Sequence, residues 1–433
     1  MKRIKARAAI ALVLAGAIVL GMGFFLYRLY TRGGSWAAYR ANTHIYQDGT
    51  LKNAAITDRN GVELLRSETG SYRYAADATV RRATLHALGD HWGYLGSGAL
   101  DFCADRLAGY SFVYGTPDEG PSVALTLDSR LQKTAWEALS GRAGAVMVMN
   151  YETGEILCMV SSPSYDPESG PTQDVDGVFI NRCTGAAYVP GSVFKLVTLI
   201  AARENIPDLE DRRFTCTGAL SVGPDSVTCT GRHGEQTIEQ ALAHSCNAAF
   251  GRLSLELGSE TLARTAARLG ITGSLKFYDT ATAAGRFDAA PAGSALEAWA
   301  GIGQYNDLVT PYAMARLCAG IAGGGRVKEP VLITGQKAAV TELMSADTAE
   351  FVGDCMNYVM VYGYPGTFTA LDLCAKTGTA EVGDGTSHSW FAGYLRSGAP
   401  LAFAVIVEHG GQGISAAGNV ANTVLLKAVE YNQ

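Results

Sequence analysis

The longest uninterrupted apolar segment of the chain lies close to its start, from Ala8 to Tyr27. As a helix, such a segment reaches about 30 Å, the thickness of the hydrocarbon layer of a membrane. It ends in bulky residues, whereas small residues precede a signal-peptide cleavage site, so we expect an uncleaved anchor within residues 1–30. Cationic residues precede the segment: Lys2, Arg3, Lys5 and Arg7. They predict a cytoplasmic start, a single crossing of the cell membrane and an extracytoplasmic remainder.

The region after the anchor alternates short apolar runs with turn residues. Residues 31–35, TRGGS, are typical of a flexible linker. In residues 54–67, AAITDRNGVELLRS, two apolar runs flank Asn60-Gly61, which predicts a β-hairpin. We therefore assign residues 31–122 to a linker and a small supporting domain, which we call the pedestal.

The patterns from residue 123 onward indicate one larger domain, residues 123–433. An amphipathic helix follows Asp128 or Ser129 as its N-cap, and residues 143–162 form two apolar strands joined at a turn that ends in Gly154. Residues 250–269 have the spacing of a helix, and residues 401–410 are again a strand. Strands at both ends of a long helical middle predict an α+β fold in which helices flank one sheet.

Composition and charge narrow the classes of function. The chain has 433 residues, of which 48% are hydrophobic, so it can bury a large core. Its formal net charge is -6, and its basic residues do not cluster into a stripe. Proteins that neutralise phosphate backbones need such a stripe, so we expect no nucleic-acid partner.

Nine cysteines are present, and an odd number cannot pair completely. Cys216 and Cys229 lie in two TCTG pieces on either side of a Gly-Pro turn, as hairpin partners do. A disulfide and two buried thiols both fit this arrangement. A zinc site that adds His233 and His244 is disfavoured, because the spacing is not that of a compact finger. We therefore predict no metal and no cofactor.

A serine and a lysine lie three positions apart at the start of the apolar run YVPGSVFKLVTLIAA, residues 188–202. Pro190 and Gly191 precede the run, so Ser192 is expected at a helix N-terminus, where backbone N–H groups favour negative charge on its oxygen. Lys195 then lies over the same face among apolar side chains. Burial disfavours the ammonium, lowers the pKa of Lys195 and lets the neutral amine take the proton of Ser192. The pair is a candidate activated nucleophile without histidine.

Two further motifs accompany this pair. HSCNAAF supplies Ser245, whose hydroxyl can relay a proton to a leaving amine, and Asn247, whose amide can hold a substrate peptide group. LCAKTGTAEV predicts an edge strand with one cation, two hydroxyls for a carboxylate and a glycine that admits a substrate backbone: Lys376, Thr377, Thr379 and Gly378. Because side chains alternate along a strand, these residues serve one cleft only if it follows the strand edge. The N–H groups of Ser192 and Thr379 are then a candidate oxyanion hole.

In order and spacing, the three motifs resemble those of the penicillin-recognising serine enzymes, which carry Ser-x-x-Lys, Ser-x-Asn and Lys-Thr-Gly. The pieces TLDSRLQ, SPSYDP, NRCTGAAYVPGSVFK, GIGQYNDLVTPYAMA and SWFAGY look like the transpeptidase domain of class B, monofunctional penicillin-binding proteins. The resemblance covers residues 123–430. It implies an antiparallel sheet flanked by helices, an all-helical lobe and a cleft between the two, as in the β-lactamase-like fold.

The resemblance also implies a peptidoglycan D,D-transpeptidase of cell-wall synthesis, active in cell shape or division and inhibited by β-lactams. Its catalytic residues are expected to be Ser192, Lys195, Ser245 and Lys376, and its substrate-binding residues Asn247, Thr377, Gly378 and Thr379. Peptidoglycan stem peptides are the implied substrates. No glycosyltransferase-like stretch is present, so a separate glycan polymerase is the expected partner. The pedestal is shorter than in relatives of this class, and spacing the site from the membrane and docking a partner are equally compatible with it.

Other functions share these motifs. A class A β-lactamase holds its hydrolytic water with a glutamate, and no glutamate between Ser245 and Lys376 has an asparagine four residues later. A D,D-carboxypeptidase differs only in using water as the acceptor, and a β-lactam-binding sensor or scaffold of the wall-synthesis complex does not need turnover. Two nearby residues fit more than one position. His388 fits either a residue that faces the cleft or a satisfied loop residue, and Cys374 either a residue near the site or a buried inert thiol, and we favour the structural alternative for each. We also read Cys246 as a packing residue.

Overall fold

The structure is a computed structural model that describes residues 2–39, 42, 46–47, 50–51, 54–68, 70–111, 113–115, 117, 120–171 and 175–431. Its first element is a 36-residue helix, Lys2–Ala37. A window of this helix has a mean hydropathy of 2.6 and is 0% buried against the rest of the chain. The helix is therefore long and apolar enough to cross a membrane.

The predicted flexible linker at residues 31–35 is wrong, because the helix continues through it to Ala37. Extending an existing helix costs far less than starting one, so two glycines do not end it. Gly33 also faces Tyr110, and a Cβ on Gly33 would lie 3.1 Å from a ring carbon of that tyrosine. The missing side chain lets the helix end lie against the pedestal.

The pedestal contains a four-stranded sheet in the order Ser71–Tyr74, Glu63–Glu68, Ala55–Thr57 and Ser122–Ala124. The hairpin expected around Asn60-Gly61 is present, and Gly61 has the positive φ of 82° that its turn requires. The last strand pairs in parallel with Ala55–Thr57. The predicted boundary between residues 122 and 123 therefore falls inside a strand. Two short strands, Tyr46–Gln47 and Thr50–Leu51, form a separate pair.

The pedestal is attached to the larger domain by buried polar contacts. Arg81, on the helix Ala78–Leu88, donates through Nε and Nη2 to the two carboxylate oxygens of Asp166, each at 2.7 Å. The Asp58 carboxylate accepts from the backbone N–H of Ser129 at 3.1 Å and from its hydroxyl at 2.7 Å. These contacts fix the pedestal relative to the larger domain.

The larger domain is built on a five-stranded antiparallel sheet, as the α+β prediction requires. Its order is Leu373–Glu381, Ser387–Leu395, Leu401–Val407, Gly144–Asn150 and Ile156–Ser162. Strands from both ends of the domain thus share one sheet. We call Leu373–Glu381 the motif strand, and it lies at an edge. The middle strands read as continuous apolar runs because helices cover both faces.

The helices and short strands of this domain surround the sheet. The helix Ser129–Leu139 is capped by Asp128, whose side chain accepts from the N–H of Arg130. The other helical segments are Gly191–Phe194, Lys195–Asn205, Ile238–Ala243, Asn247–Arg268, Ala295–Ala300, Pro311–Ala322, Ala346–Tyr358, Val359–Gly363, Ile414–Gly418 and Asn419–Tyr431. The pedestal adds Ala99–Phe102 and Ala104–Ala108. Paired short strands also occur: Phe214–Cys216 with Gly234–Gln236, Ala219–Val222 with Asp225–Thr228, Lys276–Phe277 with Thr280–Ala281, and Arg326–Lys328 with Val340–Glu342. The helical lobe therefore carries small hairpins as well.

Candidate active site

Ser192 lies in a single 3-10 turn, Gly191–Phe194, that leads directly into the helix Lys195–Asn205. The expected position at a helix N-terminus is therefore correct. Gly191 has a φ of 53°, and a Cβ there would lie 2.5 Å from the carbonyl oxygen of Thr379. Only glycine permits both the left-handed backbone and this close approach. The turn that carries the serine is thus pressed against the motif strand.

The amine of Lys195 is fully buried and close to the serine. Its Nζ lies 3.1 Å from Ser192 Oγ, 2.6 Å from the carbonyl oxygen of Ser245 and 2.8 Å from Asn247 Oδ1. The last two oxygens can only accept hydrogen bonds. A neutral amine that donates its two N–H groups to them keeps its lone pair for the hydroxyls of Ser192 and Ser245, each 3.1 Å away. The geometry therefore holds Lys195 in the orientation of a base.

Burial also lowers the pKa of Lys195 to about 7, because the ammonium loses its hydration. At neutral pH a large share of the amine is then unprotonated and can accept a proton. The sequence-based expectation of a desolvated lysine next to the serine agrees with this arrangement.

Ser245 connects the serine to both lysines. Its hydroxyl lies 2.8 Å from Ser192 Oγ and 3.1 Å from each of the amines of Lys195 and Lys376. Ser245 has a φ of 51°, a backbone conformation that side-chain-bearing residues rarely adopt. The strained turn aims the hydroxyl into the centre of the cluster, where it can relay a proton.

Lys376 reaches this cluster from the motif strand, and only 1% of its surface is exposed. Its Nζ also donates to the carbonyl oxygen of Thr377 at 2.9 Å. Burial, and after it the neighbouring Lys195 charge, lower the pKa of Lys376 well below its usual range.

The threonines of the motif strand face the cleft along its edge, as the alternation argument required. Thr377 Oγ1 is hydrogen-bonded to the hydroxyl of Tyr364 at 2.8 Å, and Thr379 Oγ1 accepts from the N–H of Gly413 at 3.3 Å. Gly378 differs from the expectation. A Cβ there would lie 3.0 Å from the carbonyl oxygen of Pro190, so this glycine makes room for the 3-10 turn Gly191–Phe194, which carries Ser192 and which we call the nucleophile turn.

An open cleft of about 540 Å³ joins these residues. Ser192 and Ser245 lie at its base, while Asn247 lines it from the helical lobe and Thr377 and Thr379 from the sheet. Asn247 also donates from Nδ2 to the carbonyl oxygen of Thr228 at 2.9 Å, which fixes its amide. The three sequence motifs, distant in the chain, thus converge on one groove.

Comparison with known proteins identifies the family. Residues 144–426 match the penicillin binding protein transpeptidase domain. The chain belongs to this family.

Among curated relatives, the peptidoglycan D,D-transpeptidase PbpA of Mycobacterium tuberculosis is 26% identical over 92% of this chain and 87% of its own. FtsI of Escherichia coli is 26% identical over 66% of this chain and 51% of its own. The D,D-transpeptidase domain from Eggerthella lenta superposes with a TM-score of 0.73 and 29% identity, covering 88% of this chain and 98% of that domain. A crystal structure of M. tuberculosis PbpA shares the fold, with a TM-score of 0.75, 23% identity and coverage of 87% and 99%.

Two cleft residues of this penicillin-binding protein belong to none of the three motifs, and only the structure places them at the site. Tyr364, which holds Thr377, follows a helix and lies in a stretch without a sequence signal. Gln304 reaches the carbonyl oxygen of Thr379 from the GIGQYND piece, at 3.5 Å. That piece marked the family in the sequence, but no role for its glutamine followed from the sequence.

The residues for which the sequence favoured a structural role, His388 and Cys374, take no part in the serine–lysine cluster. His388 is on the strand Ser387–Leu395, where its Nδ1 accepts from the N–H of His409 at 3.2 Å, so it is a strand residue and not the loop residue expected. Cys374 is fully buried, and burial raises its pKa to about 11. Cys216 and Cys229 form no disulfide, so the disulfide alternative is not present.

Proposed function

We propose that this member of the penicillin-binding protein transpeptidase family is a peptidoglycan D,D-transpeptidase that works through an acyl-enzyme on Ser192. The reaction class follows from the family to which the chain belongs. The observation that carries the role of Ser192 is its position 3.1 Å from the buried amine of Lys195 and 2.8 Å from the hydroxyl of Ser245. The PbpA of M. tuberculosis, a relative with the same fold, has been crystallised as acyl-enzymes of penicillin G, imipenem and ceftriaxone.

In the first half of the reaction, Ser192 Oγ attacks the carbonyl of the penultimate D-alanine of a stem peptide. The proton of the hydroxyl passes to the neutral amine of Lys195, which acts as the base. The C–N bond then breaks, and the leaving D-alanine amine receives a proton through the Ser245 hydroxyl, which replaces its own proton from Lys195. An ester between Ser192 and the stem peptide remains.

In the second half, the amine of another stem peptide attacks this ester. The incoming amine loses a proton to Lys195 through Ser245, and the C–O bond breaks to return the hydroxyl of Ser192. The crosslinking step is thus the reverse of the acylation step, with a different amine. A β-lactam enters the same first step, but its leaving amine stays tethered to the acyl group and blocks the second amine.

We assign substrate recognition to the cleft walls. Thr377 and Thr379 bind the terminal carboxylate through their hydroxyls from the sheet side of the cleft. Lys376 lies behind them and acts through Ser245, whose hydroxyl is 3.1 Å from its amine. Asn247 orients the stem peptide from the helical lobe. The N–H groups of Ser192 and Thr379 stabilise the negative oxygen of the tetrahedral intermediate. Gly378 contributes by letting the nucleophile turn approach the strand.

We further propose that the Lys2–Ala37 helix anchors the chain in the cell membrane, with its cationic start in the cytoplasm and the catalytic domain outside. The pedestal then separates the site from the membrane surface, and the domain from residue 123 onward carries catalysis. We also propose that a separate membrane-bound polymerase supplies the glycan strands, as the resemblance to monofunctional transpeptidases implies.

The test uses the full chain in detergent with a fluorescent penicillin, followed by intact-mass measurement. A stable adduct on the parent chain but not on Ser192→Ala supports the proposal, and Ser397→Ala, an exposed serine far from the cleft, is the matched control. Rapid loss of the adduct favours a β-lactamase, and no adduct on the parent favours a scaffold. A stem-peptide substrate with and without an acceptor amine then separates crosslinking from D,D-carboxypeptidase activity.

A further inference from the structure

A cluster of three thiols and one imidazole lies beside the loop that carries Ser245 and Asn247. The ligand atoms of Cys216, Cys229, Cys246 and His233 all lie within 4.8 Å of one another. Cys216 and Cys246 are buried, while Cys229 and His233 are partly buried. We propose that these four side chains form a structural Zn²⁺ site that holds the Ser245–Asn247 loop in place. The role in positioning rests on the proposed function, but the metal site itself does not.

Two distances within the cluster match those of a tetrahedral zinc. With Zn–S bonds of about 2.3 Å and a Zn–N bond of about 2.05 Å, tetrahedral angles place two sulfurs about 3.8 Å apart and a sulfur and a nitrogen about 3.6 Å apart. The Sγ atoms of Cys229 and Cys246 are 3.8 Å apart. Cys229 Sγ is 3.6 Å from Nδ1 of His233. A disulfide needs its sulfurs at about 2.05 Å and joins only two of the three thiols.

The surroundings of the ligands match those of a metal thiolate. The backbone N–H of Asn247 donates to Cys229 Sγ at 3.2 Å, a bond that favours the thiolate. His233 is held by stacking on His244, with ring centroids 4.9 Å apart and an angle of 9° between the planes. His244 in turn is fixed by Gln236 at 3.0 Å. His244 therefore orients the ligand and is not itself a ligand.

The ligands have the spacing C-x12-C-x3-H-x12-C, which is not that of a compact zinc finger, so the sequence did not predict this site. Cys216 ends the strand Phe214–Cys216 and pairs with Gly234, which follows His233. Cys229 follows the hairpin strand Asp225–Thr228, and Cys246 is the N-cap of the helix Asn247–Arg268. Two hairpins and a helix start thus bring together residues that no compact finger would. The expectation of no metal, made from spacing, is revised by this juxtaposition.

The cluster also has a clear consequence for catalysis. Cys246 is the middle residue of the Ser245–Asn247 loop, and a bond from its sulfur to zinc ties this loop to both hairpins. Ser245 keeps its strained φ of 51° only if its surroundings hold it there. A four-ligand protein site is closed to water and substrate, so the ion is structural. Binding exchanges the thiol protons for the metal, and no redox step is involved.

The first experiment measures zinc in the purified full chain by elemental mass spectrometry. We expect about one Zn²⁺ per chain, the stoichiometry of a closed four-ligand site, and a loss of most of it in Cys216→Ser and Cys229→Ser. Cys318→Ser and Cys158→Ser, which remove buried thiols outside the cluster, are matched controls that keep the metal. Cys216→His retains a fourth ligand and is expected to keep zinc, which separates loss of a ligand from failure to fold.

The second experiment replaces zinc by Co²⁺ in the chelated parent chain and measures fluorescent-penicillin acylation. A tetrahedral thiolate site gives sulfur-to-cobalt charge-transfer bands and strong visible absorption. We expect acylation to fall about 100-fold without metal, the effect of a misplaced catalytic group, and to return when Zn²⁺ or Co²⁺ is added.

A parent chain that holds no zinc after incubation with it, or a native Cys229–Cys246 disulfide by mass, overturns the site. Unchanged acylation in the metal-free chain overturns the positioning role. Metal content is measured without substrate. The zinc result can therefore be interpreted even if the transpeptidase assignment is wrong.

Discussion

In the proposed mechanism, Lys195 controls the nucleophile through its own protonation, because its amine must be neutral before it can take the proton of Ser192. Its carbonyl neighbours accept both N–H bonds of the neutral amine, and burial lowers its pKa to about 7. The residue was recognisable from Ser-x-x-Lys and its apolar flanks. Its two carbonyl acceptors were not, since they belong to a loop 50 residues away in the chain.

This pKa predicts the pH dependence of acylation. The ammonium is the inactive form, so the second-order rate with a fluorescent penicillin rises with pH and reaches half of its plateau near pH 7, the pKa that burial sets. Stopped-flow measurement between pH 5 and 9 checks it, with Lys195→Arg, which keeps its proton, as the control without a rise. A rate independent of pH over this range would exclude Lys195 as the base.

Ser245 is the second residue whose role can be isolated. Ser245→Ala and Ser245→Gly both remove the relay hydroxyl, but only glycine adopts the φ of 51° without strain. We expect both variants to lose about 10²- to 10⁴-fold in acylation rate, the usual contribution of a positioned proton-transfer group. Thermal unfolding should show Gly as the more stable of the two. If the glycine variant acylates at the parental rate, the hydroxyl has no part in proton transfer.

At the scale of elements, the site depends on the contact between the nucleophile turn and the motif strand. Periodicity predicted both elements and the edge position of the strand. The roles of the glycines could not be predicted in full: Gly378 was expected to admit substrate and instead lies against Pro190. The residues next to a glycine in the sequence do not predict which distant segment packs against it. The prediction of a linker at residues 31–35 was wrong for a different reason. The local composition favours a flexible segment, but the helix that begins at Lys2 continues through it.

The contact can be tested by Gly191→Ala. Its Cβ would lie 2.5 Å from the Thr379 carbonyl oxygen, and its backbone has a φ of 53°. Gly335→Ala, with a φ of 77° and open space around its Cβ, shares the backbone strain but not the clash. We expect a loss of about 1 kcal/mol in unfolding free energy for the control. Gly191→Ala should lose more and should stop acylating. Equal stability and activity in the two variants would contradict the close contact.

At the scale of the whole molecule, the pedestal and the catalytic domain share buried polar contacts. The Arg81 side chain is 12% exposed and the Asp166 side chain 7%, and two hydrogen bonds join them. The bond from Arg81 is the main cause of a lowered Asp166 pKa. A lowered carboxylate pKa contributes stability above the unfolded pKa, and this contribution is lost as the pH falls through the folded value.

Breaking this pair should therefore loosen the docking of the pedestal. Asp166→Asn removes the bidentate charge partner of Arg81 and leaves it the Glu168 carboxylate at 3.3 Å, so we expect a loss of about 1.5–3 kcal/mol of unfolding free energy at neutral pH, the size of a charged hydrogen bond. Denaturant unfolding of the full chain measures it, and Asp354→Asn, an exposed carboxylate, is the control with no change. The loss should shrink as the pH falls toward the acid range, where the parent protonates Asp166. A loss that stays constant with pH would contradict an ionic contact.

The sequence alone determined the long apolar N-terminal helix, the α+β class, the element types around the motifs and the candidate site residues, because these depend on local periodicity and on residue type. Tertiary structure decided what depends on distance between segments: the convergence of three motifs on one groove, the carbonyls that orient Lys195, the role of Gly378, the strand that crosses the pedestal boundary and the meeting of Cys216, Cys229, Cys246 and His233. Residues far apart in a chain come into contact only through packing of the elements between them, and no local pattern records that distance.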